Sequence, residues 1–305
     1  MRSDRFLTYL AGRVVIVGLA AFALSWTVFL LVHALPGSPF SGSERMTEAR
    51  ERILLHRAHL DDPWPIQYLH WVQTYFTGDG LSPLLLSEAS ISVRLGLLAI
   101  GLTLVVGIWA GVASAANRGT RIDYVTGFLG SVAYAIPNFV WAIWLFFLFS
   151  VLLYRWTGGL FYVEVGWGQP IQWVVPAVAL ATPQTGFVAR VVRASMLDAL
   201  GQDYVRTAWA KGLQERLVLV RHALRNALIP LATVMGPIAV TTLMGSLVIE
   251  NVFDVPGLGS ELIYSIFHRA YFIATGVFTY YSLLAGLAML IVDVGYVVID
   301  PRIRL

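Results

Sequence analysis

Six apolar runs, each long enough to cross a bilayer, dominate this sequence. A helix needs about 20 mostly apolar residues to cross a hydrocarbon core about 30 Å thick. The runs are Val14–Leu35, Ile91–Ala116, Tyr124–Leu153, Ile171–Val188, Ala227–Ile249 and Phe272–Ile299. Pro176 and Pro183 interrupt the fourth run, but prolines are tolerated in membrane helices where neighbouring helices cover the freed carbonyls. We predict an all-α integral membrane protein with six transmembrane helices, the first an uncleaved anchor.

Composition supports this class and excludes several chemistries. Only 13% of the residues are charged, whereas a soluble domain typically carries about 25%. The chain has no cysteine, which excludes disulfides, cysteine-ligated zinc, iron–sulfur clusters and thiol catalysis. Lys211 is its one lysine and lies outside any G-x-x-x-x-G-K-[ST] motif, so the chain has no P-loop with which to use ATP itself. Because H-E-x-x-H and G-x-S-x-G motifs are also lacking, no catalytic residue is predicted.

The distribution of basic residues predicts the orientation of the chain. If both termini lie inside, 14 arginine and lysine residues fall in cytoplasmic segments and six in outer segments. Cytoplasmic loops of membrane proteins carry an excess of such residues. We therefore expect a multi-pass membrane protein with both termini in the cytoplasm.

The first outer loop, residues 36–90, contains a predicted amphipathic helix over Ser43–Leu60. This helix either lies on the membrane surface or offers a contact surface to an extracytoplasmic partner. The loop also contains His56, His59 and His70. Because no further ligand follows them at a typical spacing, we expect these histidines to be solvated and predict no metal site.

The cytoplasmic segment 190–226 has helical content that a purely topological loop does not need. Gly201 and Gly212 punctuate it, with a short helix predicted between them. That helix region carries apolar residues that we expect to be exposed, and an exposed apolar patch is typical of a docking site. These residues are Leu200, Tyr204, Val205, Ala208 and Trp209.

The segment Gln202–Leu213 (QDYVRTAWAKGL), followed by Arg221–Pro230 (RHALRNALIP), resembles the cytoplasmic EAA loop of ABC importer permeases. It is most similar to the first, B-type subunit of the oligopeptide/dipeptide/nickel branch. The general Glu-Ala-Ala pattern is replaced here by Arg206, Thr207 and Ala208, which fits the peptide branch better than the whole family. Further matches are Pro36–Pro39, Asp62-Pro63, Gln67-Tyr68, Glu250, Phe253, Pro256–Gly259, Asp293, Tyr296 and Asp300–Arg302.

The resemblance implies a type I ABC importer permease fold in the cytoplasmic (inner) membrane of a bacterial or archaeal cell. It divides the chain into an N-terminal tail and first span (residues 1–35), the extracytoplasmic loop (36–90) and a core permease domain (91–305) that includes the coupling loop 190–226. It also implies that the loop forms a coupling helix bound by a separate ATPase subunit. Tyr204, Ala208 and Trp209 supply apolar contact there, Arg206 and Lys211 pair with acids, and Gly212 permits a tight turn. The full predicted docking set is Asp203, Tyr204, Arg206, Thr207, Ala208, Trp209, Lys211 and Gly212.

The partners implied by the resemblance are a second permease subunit, two ATP-binding subunits and an extracytoplasmic substrate-binding protein. A heterodimer of permeases is expected, with a homodimer as the alternative. ATP and Mg belong to the ATPase subunits, and this chain is expected to bind no cofactor and no nucleic acid, only membrane lipid. Short peptides are the expected cargo, and nickel chelates, oligosaccharides and haem-like compounds are alternatives.

Polar and small residues of the third to fifth spans are the predicted translocation path. They are Asn138, Gln184, Thr241, Thr242, Gly245 and Ser246. For each residue, ordinary helix packing is the alternative interpretation. Two other function classes compete with the importer. A secondary transporter requires inverted repeats and ion-coupling residues, and a membrane-embedded enzyme requires a catalytic constellation.

Overall fold

The computed structural model describes residues 2–34, 48–57, 59–77, 81–160, 163–244 and 246–299, and within these residues every regular element is a helix. The first helices are α1 (Arg2–Ala34), α2 (Glu48–Arg57), α3 (Trp64–Thr77), α4 (Leu81–Ala116), α5 (Arg121–Ala135) and α6 (Asn138–Phe146). A π-helical segment, Phe147–Leu152, joins α6 to α7 (Leu153–Trp156). The rest are α8 (Pro170–Leu200), α9 (Asp203–Ala210), α10 (Glu215–Leu217), a second π-helical segment (Val218–Leu224), α11 (Arg225–Met244), α12 (Ser246–Val252), α13 (Leu258–Phe267) and α14 (Tyr271–Ile299).

Among the residues that the structure describes, six helical stretches are long and apolar enough to cross a membrane, which confirms the predicted number. They are Thr8–Ala34, Pro83–Ala116, Asn138–Trp156, Pro170–Leu200, Glu215–Val252 and Tyr271–Gly295. The outer loop is more helical than predicted, because α3 lies within it and α4 begins at Leu81 rather than near Ile91. Of the predicted helix over Ser43–Leu60, the structure shows Glu48–Arg57 as α2 and a turn at His59 and Leu60, while residues 43–47 and 58 lie outside the described residues.

The predicted third span, Tyr124–Leu153, is wrong in its bounds. The structure breaks it between α5 and α6, where Ile136 is extended (φ −90°, ψ 126°) immediately before Pro137. A proline disfavours the helical region for the residue that precedes it, because its ring collides with that residue's backbone. The stretch long enough to cross a membrane therefore begins at Asn138, after the break.

Helix α8 is longer than the predicted fourth span, and many of its side chains are buried against the surrounding helices. Pro176 and Pro183 lie inside it without ending it, and it continues to Leu200. Where α5 packs on α8, a side chain at Gly186 would overlap the backbone carbonyl of Gly130. Gly111 of α4 lies so close to α8 that an added Cβ would be 2.7 Å from the Ala189 carbonyl oxygen. Small residues thus allow close packing of α4, α5 and α8.

The chain divides into two compact units. Unit 1 contains the described residues up to Ser92 together with Pro256–Leu287, and unit 2 contains those of Val93–Val255 and those from Ala288 onward. In unit 1, the Trp71 indole nitrogen donates to the Phe272 carbonyl oxygen at 2.9 Å.

The core of unit 2 lies along α8 and the start of α11. Its buried side chains include Val188, Val192 and Met196 from α8, Ala223 from the second π-helical segment and Ala227 from α11. The residues just before and after α9 thus pack in the same core as α8 and α11.

Candidate functional site

Helix α9 is a short element with defined ends, as the two glycines predict. Gln202 is extended at its N-terminus (φ −80°, ψ 152°), and Asp203 lies in the first turn, where a negative charge is favourable to the helix dipole. Gly212 adopts a left-handed conformation (φ +75°) just after the helix. Its N–H donates to the Trp209 carbonyl oxygen at 2.8 Å, and the Leu213 N–H donates to that of Ala208 at 3.4 Å. Left-handed residues of this kind commonly end helices, and glycine adopts them most easily.

One face of α9 is buried, which corrects the prediction that its apolar residues are all exposed. Val205 is fully buried and Ala208 is 5% exposed, and both pack with Val218. Leu200 and Leu213 complete this cluster from either side of the helix. Residues three apart share a helix face, so Val205 and Ala208 attach α9 to its own chain together.

The opposite face of α9 is exposed and contains most of the predicted docking residues. Tyr204 and Trp209 are 41% and 43% exposed, large fractions for aromatic side chains. The other exposed members of the predicted set are Asp203, Arg206, Thr207, Lys211 and Gly212. Arg206 and Asp203 form an ion pair at 3.5 Å, but both side chains are largely in solvent, where such pairs contribute little to stability.

A hydrogen bond that the sequence pattern does not indicate connects α9 to α11. The Asn226 side-chain nitrogen donates to the Tyr204 hydroxyl oxygen at 2.8 Å. Asn226 lies in the first turn of α11, whereas only Gly201 and Gln202 separate α9 from α8. Helix α9 is thus attached to α8 through the chain, and to α11 through Asn226 and the Val218 cluster.

A partly buried ion pair, also missed by sequence reasoning, holds α5 against α8. The Arg193 guanidinium donates to both Asp123 carboxylate oxygens, at 2.7 and 2.8 Å. The Ser114 hydroxyl and the Gly119 N–H donate to the same carboxylate at 2.5 and 3.0 Å. Arg193, then Ser114 and Gly119, hold the pKa of Asp123 well below the ordinary value for a carboxyl. Asp123 is therefore ionised at neutral pH, and it joins the ends of α4, α5 and α8.

The structure brings two of the predicted path residues together. The Gln184 side-chain nitrogen donates to the Thr241 hydroxyl at 3.3 Å, between α8 and α11. Thr242 and Ser246 are buried instead, at 1% and 0% exposure, and the Ser246 hydroxyl donates to the carbonyl oxygen of Leu243.

Asn138, another predicted path residue, is the first residue of α6 and is half-buried. Gly245 lies outside the described residues. The role of all six residues in a path stays a prediction.

Comparison with known proteins identifies the family. Residues 104–305, about two thirds of the chain, match the family described as "Binding-protein-dependent transport system inner membrane component". The chain belongs to this family. The matched range includes α9 and both members of the Asp123–Arg193 pair.

Curated relatives of this inner-membrane component extend the match to nearly the whole chain. It is 34% identical over 307 aligned positions to the dipeptide transport system permease protein DppB of Bacillus subtilis (strain 168), covering 97% of this chain and 98% of that protein. It is 33% identical over 295 positions to the oligopeptide transport system permease protein OppB of Escherichia coli (strain K12), covering 93% and 94%. The resemblance to the peptide branch is therefore confirmed.

A solved structure shares the fold of this inner-membrane component. The structure titled "Crystal structure of an amino acid ABC transporter with histidines" matches with a TM-score of 0.52 and 16% sequence identity. The match covers 72% of this chain and 97% of the other chain. The match supports the all-α permease fold that the sequence predicts.

Proposed function

We propose that this chain is the membrane-spanning subunit of an ATP-driven importer of short peptides, and that α9 is the helix bound by a separate ATPase subunit. The proposal rests on the way in which α9 is packed, with one face buried and the other exposed. Its apolar face packs on Val218, while Tyr204 and Trp209 on the other face remain exposed. Aromatic side chains in this state are typical anchors of protein–protein interfaces, because they bury a large area with few rotatable bonds.

The charges around α9 favour an acidic rim on its partner. Arg206 and Lys211 are exposed on or beside the helix, and Arg216, Arg221 and Arg225 are exposed on the segment that follows. Complementary charge steers association and fixes the orientation of two surfaces. An ATPase surface with an apolar groove flanked by Asp and Glu side chains would satisfy both the aromatic and the basic residues.

The attachments of α9 suit it to transmit movement. A displacement of α9 acts on α8 through Gly201 and Gln202, and on α11 through the Tyr204–Asn226 hydrogen bond and the Val218 cluster. Proteins commonly change from one helix packing to another through rigid-body shifts of this kind. ATP and Mg would be bound by the ATPase subunits, because this chain lacks a P-loop.

The peptide cargo is proposed from the relatives, whose names are dipeptide and oligopeptide permeases. Uptake of a labelled dipeptide by cells with and without this chain tests it. Unlabelled peptides should compete with the label, whereas nickel chelates, oligosaccharides and haem should not. If one of the latter competes and peptides do not, the cargo assignment is wrong although the importer assignment stands.

The docking role of α9 is tested by purifying the chain in detergent and measuring the ATPase subunits that accompany it. A second permease and an ATPase should co-purify. Trp209→Ala should weaken ATPase binding by about 2 kcal/mol or more, the usual cost of truncating a central interface tryptophan. Trp109→Ala is the matched control, because Trp109 is also exposed (66%) but lies on α4. If no ATPase accompanies the intact chain, the importer proposal is wrong and a secondary transporter becomes the better explanation.

The proposed orientation places the termini and α9 in the cytoplasm. Because the chain has no cysteine, a single introduced cysteine reports the side of the membrane on which it lies. A membrane-impermeant thiol reagent added to intact cells should label Arg155→Cys and leave Gln202→Cys unlabelled. Both positions are exposed, so a difference in labelling reflects sidedness rather than burial. The reverse labelling pattern would invert the orientation.

A further inference from the structure

The turn between α2 and α3 in unit 1 brings three metal-ligating side chains together. One ligand atom from each of His59, Asp62 and His70 lies within 4.8 Å of the others. The His59 Nδ1 is 3.1 Å from an Asp62 carboxylate oxygen, and the His59 and His70 rings are stacked with their centroids 4.3 Å apart. Sequence spacing gave no indication of this, because His70 approaches the other two only when α3 folds back toward the turn.

Two of the three side chains, those of Asp62 and His70, belong to a part of the backbone that hydrogen bonds hold in place. Asp62 directly precedes Pro63 and α3, and His70 lies within α3. The buried Gln67 side chain donates to the carbonyl oxygens of Leu60 and Asp62, at 3.0 and 2.7 Å. These hydrogen bonds fasten the turn to α3 and so fix the backbone of Asp62 relative to His70.

His59 is the exposed member, and its backbone conformation is unusual. Its φ of +56° lies in the left-handed region, where glycine is favoured and a residue with a side chain is disfavoured. Residues held in such conformations concentrate at sites where the side chain has a function. His59 also follows the end of α2, where left-handed residues are common, and in this conformation its imidazole contacts Asp62 and His70.

We propose that His59, Asp62 and His70 bind a divalent transition-metal ion of the zinc class. Two imidazoles and one carboxylate are a ligand set that Zn²⁺ accepts, with a solvent molecule in the fourth position. In a tetrahedral shell with bonds of about 2.0–2.2 Å, ligand atoms lie about 3.3–3.6 Å apart. The His59–Asp62 separation of 3.1 Å is slightly shorter than that spacing, and the ligand atoms of all three residues already lie within 4.8 Å of one another, so small side-chain movements would place them around one ion.

The bound ion would fasten the turn after α2 to α3, since His59 and His70 lie on the two segments. His56 is the natural comparison. It lies on the same stretch of chain but pairs with Asp61 at 2.8 Å and is not part of the three-residue cluster. The site lies outside the range of the family match. Because its test measures metal binding, it needs neither transport nor an ATPase partner.

The test is zinc binding by the full chain in detergent, purified through a tag that contains no histidine. A chromophoric chelator competing for Zn²⁺ gives the affinity, and elemental analysis after dialysis gives the stoichiometry. One zinc per chain is expected. Because loss of even an outer partner of a metal ligand typically weakens affinity 10–100-fold, His59→Gly and His70→Gln should each weaken it by about tenfold or more. His56→Gln should leave it unchanged.

The choice of glycine at position 59 keeps the result interpretable. Glycine adopts the left-handed conformation easily, so His59→Gly removes a ligand without adding strain. Without metal, the thermal unfolding temperature of His59→Gly should equal or exceed that of the unaltered chain. Zinc should raise the unfolding temperature of the unaltered chain but not that of His59→Gly. The proposal is overturned if the unaltered chain retains no stoichiometric zinc, or if His56→Gln weakens binding as much as His59→Gly and His70→Gln do.

Discussion

The Arg193 guanidinium donates two hydrogen bonds to the Asp123 carboxylate, which is 7% exposed, although the two residues are 70 positions apart in the chain. The pair joins α8, seven residues before its C-terminus at Leu200, to the first turn of α5. Helix α9 follows α8 after two residues, so this pair anchors the part of α8 on which the proposed coupling helix depends.

Removing the Asp123 charge should destabilise unit 2. In Asp123→Asn, the Arg193 guanidinium loses its carboxylate, and a half-buried charge left without its partner is unfavourable. We expect the thermal unfolding temperature to fall by several degrees, a range typical of single destabilising changes. Asp203→Asn is the matched control, because Asp203 also pairs with an arginine but its side chain is 97% exposed. It should shift the temperature by about one degree or less, and equal effects in the two variants would contradict the role given to the buried pair.

The same pair predicts a pH dependence of stability. Its hydrogen bonds lower the pKa of Asp123 in the folded chain below the ordinary value of 3.8. A depressed folded pKa contributes stability that is fully present above the unfolded pKa and is lost as the pH falls toward the folded pKa. The difference in unfolding temperature between the unaltered chain and Asp123→Asn should therefore be constant from about pH 5 to pH 8 and shrink below about pH 4. A difference that grows on acidification would show that the carboxylate is not stabilised as described.

The close approach of α5 and α8 predicts a strong effect of a single methyl group. In Gly186→Ala the new Cβ would overlap the backbone carbonyl of Gly130, and a backbone group cannot move aside as a flexible side chain can. Overpacking of this kind costs about 1–3 kcal/mol, measured as a lower unfolding temperature in detergent. Gly127→Ala on α5 is the control, because an added Cβ there meets nothing within 4 Å. It should be neutral or slightly stabilising, since alanine favours helix more than glycine does.

The sequence predicts well the features that depend on patterns of neighbouring residues. Runs of apolar residues indicate the six membrane-crossing stretches, and Gly201 and Gly212 indicate the limits of α9. The break at Pro137 also has a local signal, the restriction that proline places on Ile136, but the long apolar run around it conceals the break.

The features that the sequence does not predict depend on tertiary contact. Val205 and Ala208 are buried because α9 is rotated so that they face Val218. The eight residues of α9 contain no pattern that specifies this rotation. The Asp123–Arg193 pair and the approach of His70 to His59 likewise depend on how helices fold back on one another. Basic residues near membrane helices fit the positive-inside rule whether or not they pair, so Arg193 gives no separate signal.

The Tyr204–Asn226 hydrogen bond predicts a separation between binding and coupling. Tyr204→Phe removes the hydroxyl that accepts from Asn226 but keeps the aromatic ring on the exposed face of α9. A neutral hydrogen bond of this kind contributes about 1 kcal/mol. ATPase subunits should therefore still co-purify, while the amount of peptide transported per ATP hydrolysed should fall, because α9 moves less rigidly with α11.

The matched variants are Asn226→Ala and the double variant. If the effect of Tyr204→Phe passes through this bond, the double variant should be no worse than the more severe single change, since contacting residues are not additive. The measurement is labelled-dipeptide uptake and ATP hydrolysis by the reconstituted complex. Additive losses would mean that Tyr204 acts only through its contact with the ATPase, and that α9 transmits movement to α11 solely through the Val218 cluster.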